Sequence, residues 1–184
     1  MSDPKPSFTI IRLYIDNDLA AGSAIALTRD QGHYLQNLMG PNEGERIGVF
    51  NGRDGEYWAD IVAANPGALV VEPAEILWPQ TAEPDLWLAF APLKRAAVEF
   101  LTAKVTEIGV SRLLPLLTGR TNAEPVDTRQ LRDHAVAAAE QSERLTVPEV
   151  CDPVTFAGFL RDWPVDSKLL VGDETGAGRP VIEV

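Results

Sequence analysis

Cysteine is almost missing from this chain. Cys151 stands alone among 184 residues, which excludes an internal disulfide and any metal centre built from a cysteine cluster. A single thiol fits a reducing compartment, so the expected location is the cytoplasm. Long apolar runs are missing too: no stretch approaches the roughly 20 residues that cross a bilayer, and no membrane partner is expected. The opening residues, MSDPKPSFTI, have neither a basic start nor an apolar centre and do not read as a secretory signal. Positive charge is scarce, with 16 Lys and Arg against 27 Asp and Glu and a net charge of −11. Taken alone, that balance argues against a nucleic-acid partner, whose phosphates favour a basic footprint.

The distribution of charge softens that exclusion. Residues 1–93 carry 5 basic and 13 acidic side chains, and residues 121–184 carry 6 and 12. Between them, Lys94, Arg95, Lys104, Arg112 and Arg120 face only Glu99 and Glu107. A locally basic segment keeps its own potential, because salt screens distant charges beyond about 8–10 Å. Its plainer explanation is a solvated helix face. With 45% hydrophobic residues, the chain has enough apolar material for a packed core.

The pattern changes near Trp78. Before it, short alternating segments at 9–15, 24–28, 46–50, 57–62 and 68–75 are punctuated by Asn51-Gly52, Asp54-Gly55 and Asn65-Pro66-Gly67. This reads as a small antiparallel β-barrel or sandwich over residues 1–77, interrupted by a short helix at 31–39. WPQTAEPD, 78–85, reads as a linker. From residue 86 to 184 strands and helices alternate, as in a parallel sheet with right-handed crossovers. The expected strands are 86–91, 113–117 and 168–172. The expected helices are 94–108, with a stripe of Val98, Leu101, Val105 and Ile108, then 127–142 and 154–163. Asp127, with Gln130 three residues on, has the spacing of a capping box.

Several polar side chains on these helices exceed what an apolar stripe requires. Lys104 and Glu107 are three apart and within pairing distance, worth a few tenths of a kcal/mol. Glu140, Gln141 and Arg144 cluster at the end of the second helix. Arg120 and Asn122 follow the strand ending at Leu117, on the edge where open α/β sheets place ligands. Pairing and solvation alone would also account for this set. His134 and the scattered Trp58, Trp78, Trp87 and Trp163 read as structural, and His33, at the opening of a short helix, reads on its own as a capping or packing residue. GDETGAG, 172–178, has the spacing of neither a Walker nor a dinucleotide loop.

The motifs K-R-x-x-x-E-F-x-x-x-K-x-T-E-I-G-V from Lys94, P-L-x-T-x-R from Pro115, and A-x-x-A-A-x-Q-S-x-R-x-x-V-P-E ending at Glu149 separate the readings. Together with Arg12, His33 and V-F-N-G at 49–52, they resemble the ribosomal RNA small subunit methyltransferase E family over about residues 8–174. The resemblance implies a PUA-like barrel followed by a SPOUT-type α/β domain with a trefoil knot. It also implies S-adenosylmethionine as methyl donor without a metal, N3 of a uridine in 16S rRNA of the small subunit as target, and a homodimer.

Carried onto this sequence, it puts Arg12, His33, Lys94, Lys104, Glu107, Glu140 and Gln141 on the RNA side. Arg120 or Arg144 becomes the cation that stabilises the uracil anion during transfer, and Gly172 and Glu174 border the cofactor. Gly40 departs from the pattern, standing where a basic residue is usual. The family's G-P-E-G-G loop and its L-G-x-x-I-L-R-x-E-T-A segment are expected beyond Val184. On that basis the SPOUT part reads as incomplete, and this form as one that does not bind the donor. A non-catalytic RNA-binding module and an unrelated α/β enzyme are the competing readings.

Overall fold

The computed structural model describes residues 11–65, 68–119, 126–172, 175–176 and 178. The first sheet is built from β1 (Arg12–Tyr14), β2 (Ile25–Ala26), β3 (Arg46–Phe50), β4 (Glu56–Asn65) and β5 (Ala68–Trp78), in the order β1-β3-β4-β5-β2. Three of its pairings are antiparallel, but β1 runs parallel to β3. The sheet is therefore mixed where the turn signals had pointed to a purely antiparallel one. Register shifts along β4 and β5 add local twist and curl the sheet on itself, as bulges do. Leu13, Ile15, Ile47, Val49, Ile61 and Val71 point inward and are buried. Each such side chain contributes about 1.5–3 kcal/mol by leaving water.

Helix α1 (Arg29–Leu38) closes this core with Leu35. It starts where it does because Thr28 and Gln31 form a reciprocal capping box. It stops at Gly40, whose φ of +60 lets its amide reach back to the Gln36 carbonyl. That accounts for the glycine where the family pattern has a basic residue: the position ends a helix in a left-handed turn. The Asn51-Gly52 and Asp54-Gly55 turn is held by the Asn51 side chain. Its Oδ1 accepts from the Arg53 and Asp54 amides, and its Nδ2 donates to Asn17 O and Asp54. At Gly55 a Cβ would lie 2.4 Å from the Trp78 carbonyl, so no larger residue fits.

The second sheet contains β6 (Trp87–Phe90), β7 (Arg112–Leu117) and β8 (Glu149–Val150), with β9 (Val154–Thr155) pairing further along β7. Every pairing is parallel. Helices α2 (Arg95–Glu107) and α3 (Thr128–Gln141) supply the crossovers and pack on each other. Asp127 caps α3 by accepting from the Arg129 and Gln130 amides. Leu88, Phe90, Leu113 and Val150 join Leu101, Val105 and Val110 in one core. The alternate positions Trp87, Arg112 and Glu149 belong to the other face. There Arg112 stacks over Trp87 at 4.2 Å and pairs with Glu149.

Three sequence expectations need correcting here. Ile108 is 74% exposed, and the buried stripe of α2 is Val98, Thr102, Val105 and Thr106. Thr102 is accommodated because its hydroxyl donates to the Val98 carbonyl. The helix read at 154–163 begins as β9 and turns helical only as α4 (Phe156–Arg161). Residues 168–172 are not a strand. Leu170 and Val171 are 66% and 75% exposed, and among the described residues no strand pairs with this segment, so no ladder holds it there.

Candidate functional site

A parallel sheet gives its two edges different characters. At the carboxyl edge β6 ends at Phe90 and β7 at Leu117, and α2 begins. This is where open α/β sheets take ligands. Lys94 occupies the N-cap position of α2 with no side-chain cap bond and is exposed. Leu93, beside it, is 65% exposed. Arg120, expected at the same edge, lies outside the described residues, as do Asn122 and Glu174. Gly172 is described, exposed and in coil, with open space where a Cβ would point.

The amino edge is where α2 and α3 end, and it carries most of the other expected residues. Lys104 reaches both oxygens of Glu107 at 2.9 and 2.8 Å on the exposed surface. Ten residues of helix separate Lys104 from Lys94, about 15 Å at 1.5 Å per residue, so the two lysines do not share a pocket. Gln141 is exposed at the last turn of α3, and His33 is exposed on α1.

Arg12 and Arg144 are placed differently from what an RNA contact or a catalytic cation requires. Arg12 is buried. Its Nε and Nη2 hold Glu56 at 2.8 and 3.1 Å, and its guanidinium lies 4.4 Å from the Phe50 ring centroid. Its Nη1 donates to the carbonyls of Ala139 and Glu140 at 2.8 and 3.1 Å, and Nη2 also donates to that of Arg144 at 2.9 Å. These carbonyls are at the end of α3, where the helix dipole favours a cation. Glu143 makes the arrangement possible with φ +60, which lets the Arg144 amide return to Ala139 O in a Schellman-type stop. An arginine with every donor engaged and buried cannot also contact a phosphate.

Arg144 is similarly committed. Its Nη1 donates to Thr106 O at 2.6 Å and Val110 O at 3.1 Å, and its Nη2 to Thr146 Oγ1 at 2.9 Å while pairing with Glu83. It therefore joins the ends of α2 and α3 to the segment between the two sheets. As a cation acting on substrate it is withdrawn.

Glu140 also faces inward, accepting from the Tyr14 amide at 2.9 Å. Burial pushes its carboxyl above the usual range, partly offset by that amide and by the Arg12 charge. Burial, and then the Glu140 charge, raise the Tyr34 phenol. Outside this seam Arg132 bonds Tyr14 Oη and Asp16.

The structure thus gathers Arg12, Glu140 and Arg144 at one seam and leaves Lys94 and Gly172 apart from it. Glu56, Glu83 and Thr106, which the sequence reading missed, complete the seam. A charged residue opening a strand right after Asp-Gly, as Glu56 does, is the only local signal that could have marked one of them. Among the described residues no group of three or more His, Cys, Asp or Glu is placed to hold a metal ion. No helix there is long and apolar enough to cross a membrane.

Comparison with known proteins agrees with both sheets. Residues 81–181 match the RNA methyltransferase domain family, and residues 27–74 match the RNA methyltransferase PUA domain. The ribosomal RNA small subunit methyltransferase E of Rickettsia conorii is 30% identical over 82% of this chain and 62% of its own length. That of a Synechocystis strain is 31% identical over 81% and 50%. The chain thus spans between half and two thirds of these relatives.

A Legionella pneumophila methyltransferase solved with SAM bound superposes with a TM-score of 0.73 at 25% identity, covering 84% of this chain and 67% of that one. A Neisseria gonorrhoeae ribosomal RNA small subunit methyltransferase E, bound to S-adenosyl methionine, gives 0.78 at 21% over 85% and 67%, a likeness of fold. The curled mixed sheet is accordingly a PUA-like domain, and the parallel sheet belongs to an RNA methyltransferase domain. With the methyltransferase match covering more than half of its residues, the chain belongs to the RNA methyltransferase family that includes the ribosomal RNA small subunit methyltransferases E.

Proposed function

We propose that this chain belongs to an S-adenosylmethionine-dependent enzyme that methylates N3 of a uridine in 16S rRNA of the small ribosomal subunit, working in the cytoplasm as a homodimer. The observation that carries the reading is the pairing of a PUA-like sheet with a parallel sheet whose carboxyl edge is open at Lys94. An RNA phosphate approaching that edge meets the Lys94 ammonium beside the free amides at the start of α2, a favourable place for an anion.

The described residues do not by themselves form a cradle for the methyl donor. Gly172 has open space around it, and Leu170 and Val171 are exposed. Of the unpaired buried polar atoms, Thr106 Oγ1 and Arg144 Nε lie at the opposite edge. What this chain's own residues contribute is therefore RNA placement and charge. Methylation at N3 requires the imide to lose its proton, and a cation near the uracil oxygens stabilises the resulting anion. With Arg144 committed elsewhere, that role falls to Arg120 in this reading.

Incubation of the enzyme to which this chain belongs with 16S rRNA and S-adenosylmethionine carrying a tritiated methyl group, followed by nuclease digestion, tests the proposal. Label recovered in 3-methyluridine supports it. RNA retained on a filter without label transfer would favour a binding module, and neither retention nor transfer would overturn both.

A further inference from the structure

We propose that Arg12 and Glu56 act as a positioning pair that fixes the angle between the PUA-like sheet and the parallel sheet. The consequence for RNA placement rests on the function proposed above; the geometric claim does not.

A guanidinium has five N–H donors, and those of Arg12 meet five acceptors. Two are the Glu56 carboxylate oxygens within its own sheet, and three are the carbonyls of Ala139, Glu140 and Arg144 at the end of α3. The Arg12 and Glu56 side chains are 6% and 3% exposed, so water cannot substitute for a lost partner. A buried ion pair of this kind adds little net stability over an apolar replacement, because desolvation offsets the attraction. What it does contribute is direction. An apolar contact tolerates sliding, whereas five bonds from one planar group are satisfied in a single orientation.

Glu56 holds the fork, Phe50 supports its face, and α3 reads its far side. Without the pair, the described polar links across the seam include the Tyr14 amide to Glu140 and the solvent-facing bonds of Arg132 to Tyr14 and Asp16. Two halves joined through a small polar interface move relative to each other by default. The distance from an RNA on the PUA-like sheet to the carboxyl edge at Lys94 would then vary.

The test is a spin-label distance measurement on the whole chain. Labels go on Gln36→Cys in α1 and Asp133→Cys in α3, both exposed, in a Cys151→Ser background. The parent should give one narrow distance distribution. Arg12→Met with Glu56→Met removes the fork without leaving a buried charge, and should broaden the distribution about two-fold or more while unfolding stays cooperative. Arg12→Lys keeps the charge but offers three donors from one point, and should broaden it as well. A distribution as narrow as the parent's in a folded double variant overturns the proposal. If the double variant fails to unfold cooperatively, Arg12→Lys decides, and a narrow distribution there overturns it equally. Failure of methyl transfer would leave this readout untouched, so the two proposals fall separately.

Discussion

Arg144→Met distinguishes a structural arginine from a catalytic one. The substitution keeps the length of the side chain and removes the guanidinium. It leaves the Val110 carbonyl without its donor and takes one of two donors from the Thr106 carbonyl, which still accepts from the Gly109 amide; both residues are buried. Each unsatisfied buried acceptor costs about 1–3 kcal/mol. Glu83, 23% exposed, recovers part of its hydration, and the loss of the unpaired Nε donor returns a little. With one acceptor unsatisfied and Glu83 left without its partner, the expected destabilisation is about 2–4 kcal/mol. For a chain of this size each kcal/mol lowers Tm by about 2–4 °C, so calorimetry should find a drop of roughly 4–16 °C. Arg144→Lys, which can satisfy one of the carbonyls, should fall between. Urea denaturation gives the free energy directly. A loss below about 1 kcal/mol would show that the guanidinium is not holding the ends of the two helices, and would return Arg144 to the candidates for catalysis.

Glu140→Gln tests the half-buried carboxyl. Because burial raises its pKa in the fold, the ionised form is disfavoured there, and the stability Glu140 contributes at low pH is lost as pH rises through the folded pKa. The Gln variant should therefore have the higher Tm at pH 7–8, with the gap closing below about pH 4, under the ordinary Glu range; a gap independent of pH would refute this. Gly55→Ala should cost about 3 kcal/mol or more, since its Cβ meets the Trp78 carbonyl, while Gly40→Ala, with open space but positive φ, should cost about 1 kcal/mol. Equal midpoints in urea would contradict that order. Lys94→Ala should weaken RNA binding and reduce its salt slope by about one, with Tm essentially unchanged. An unaltered slope would remove Lys94 from the RNA surface.

The sequence made legible what is local. Asp127 and the Asn51 and Asp54 turns act through neighbours two or three residues away, and Leu113–Leu117 is apolar enough to mark a covered parallel strand. The stripe of α2 was one step off. Hydrophobicity ranked Leu101 and Ile108 above Thr102 and Thr106, yet both threonines are buried, Thr102 with its hydroxyl bonded to the preceding turn and Thr106 with its hydroxyl unpaired. β8 and β9 have two residues each, too few for a period to register. Residues 168–172 look like a strand by composition, but pairing depends on a neighbour that composition does not specify. The seam was least legible. Arg12 is 44 residues from Glu56 and 132 from Arg144, and motif resemblance says where an arginine recurs without saying what it touches.

The carbonyl of Arg144 has a consequence for how this chain tolerates change. It accepts from Arg12, while the same residue's guanidinium holds the end of α2, so the two arginines are coupled through one backbone unit. Their substitutions should not be additive: once either is lost, losing the other should do less further damage than it would alone. Lineages that exchange Arg12 should be those in which Glu56 has already been neutralised, so positions far apart in the sequence would drift as a set. A survey of substitutions one residue at a time would score each member as intolerant and miss that they yield together.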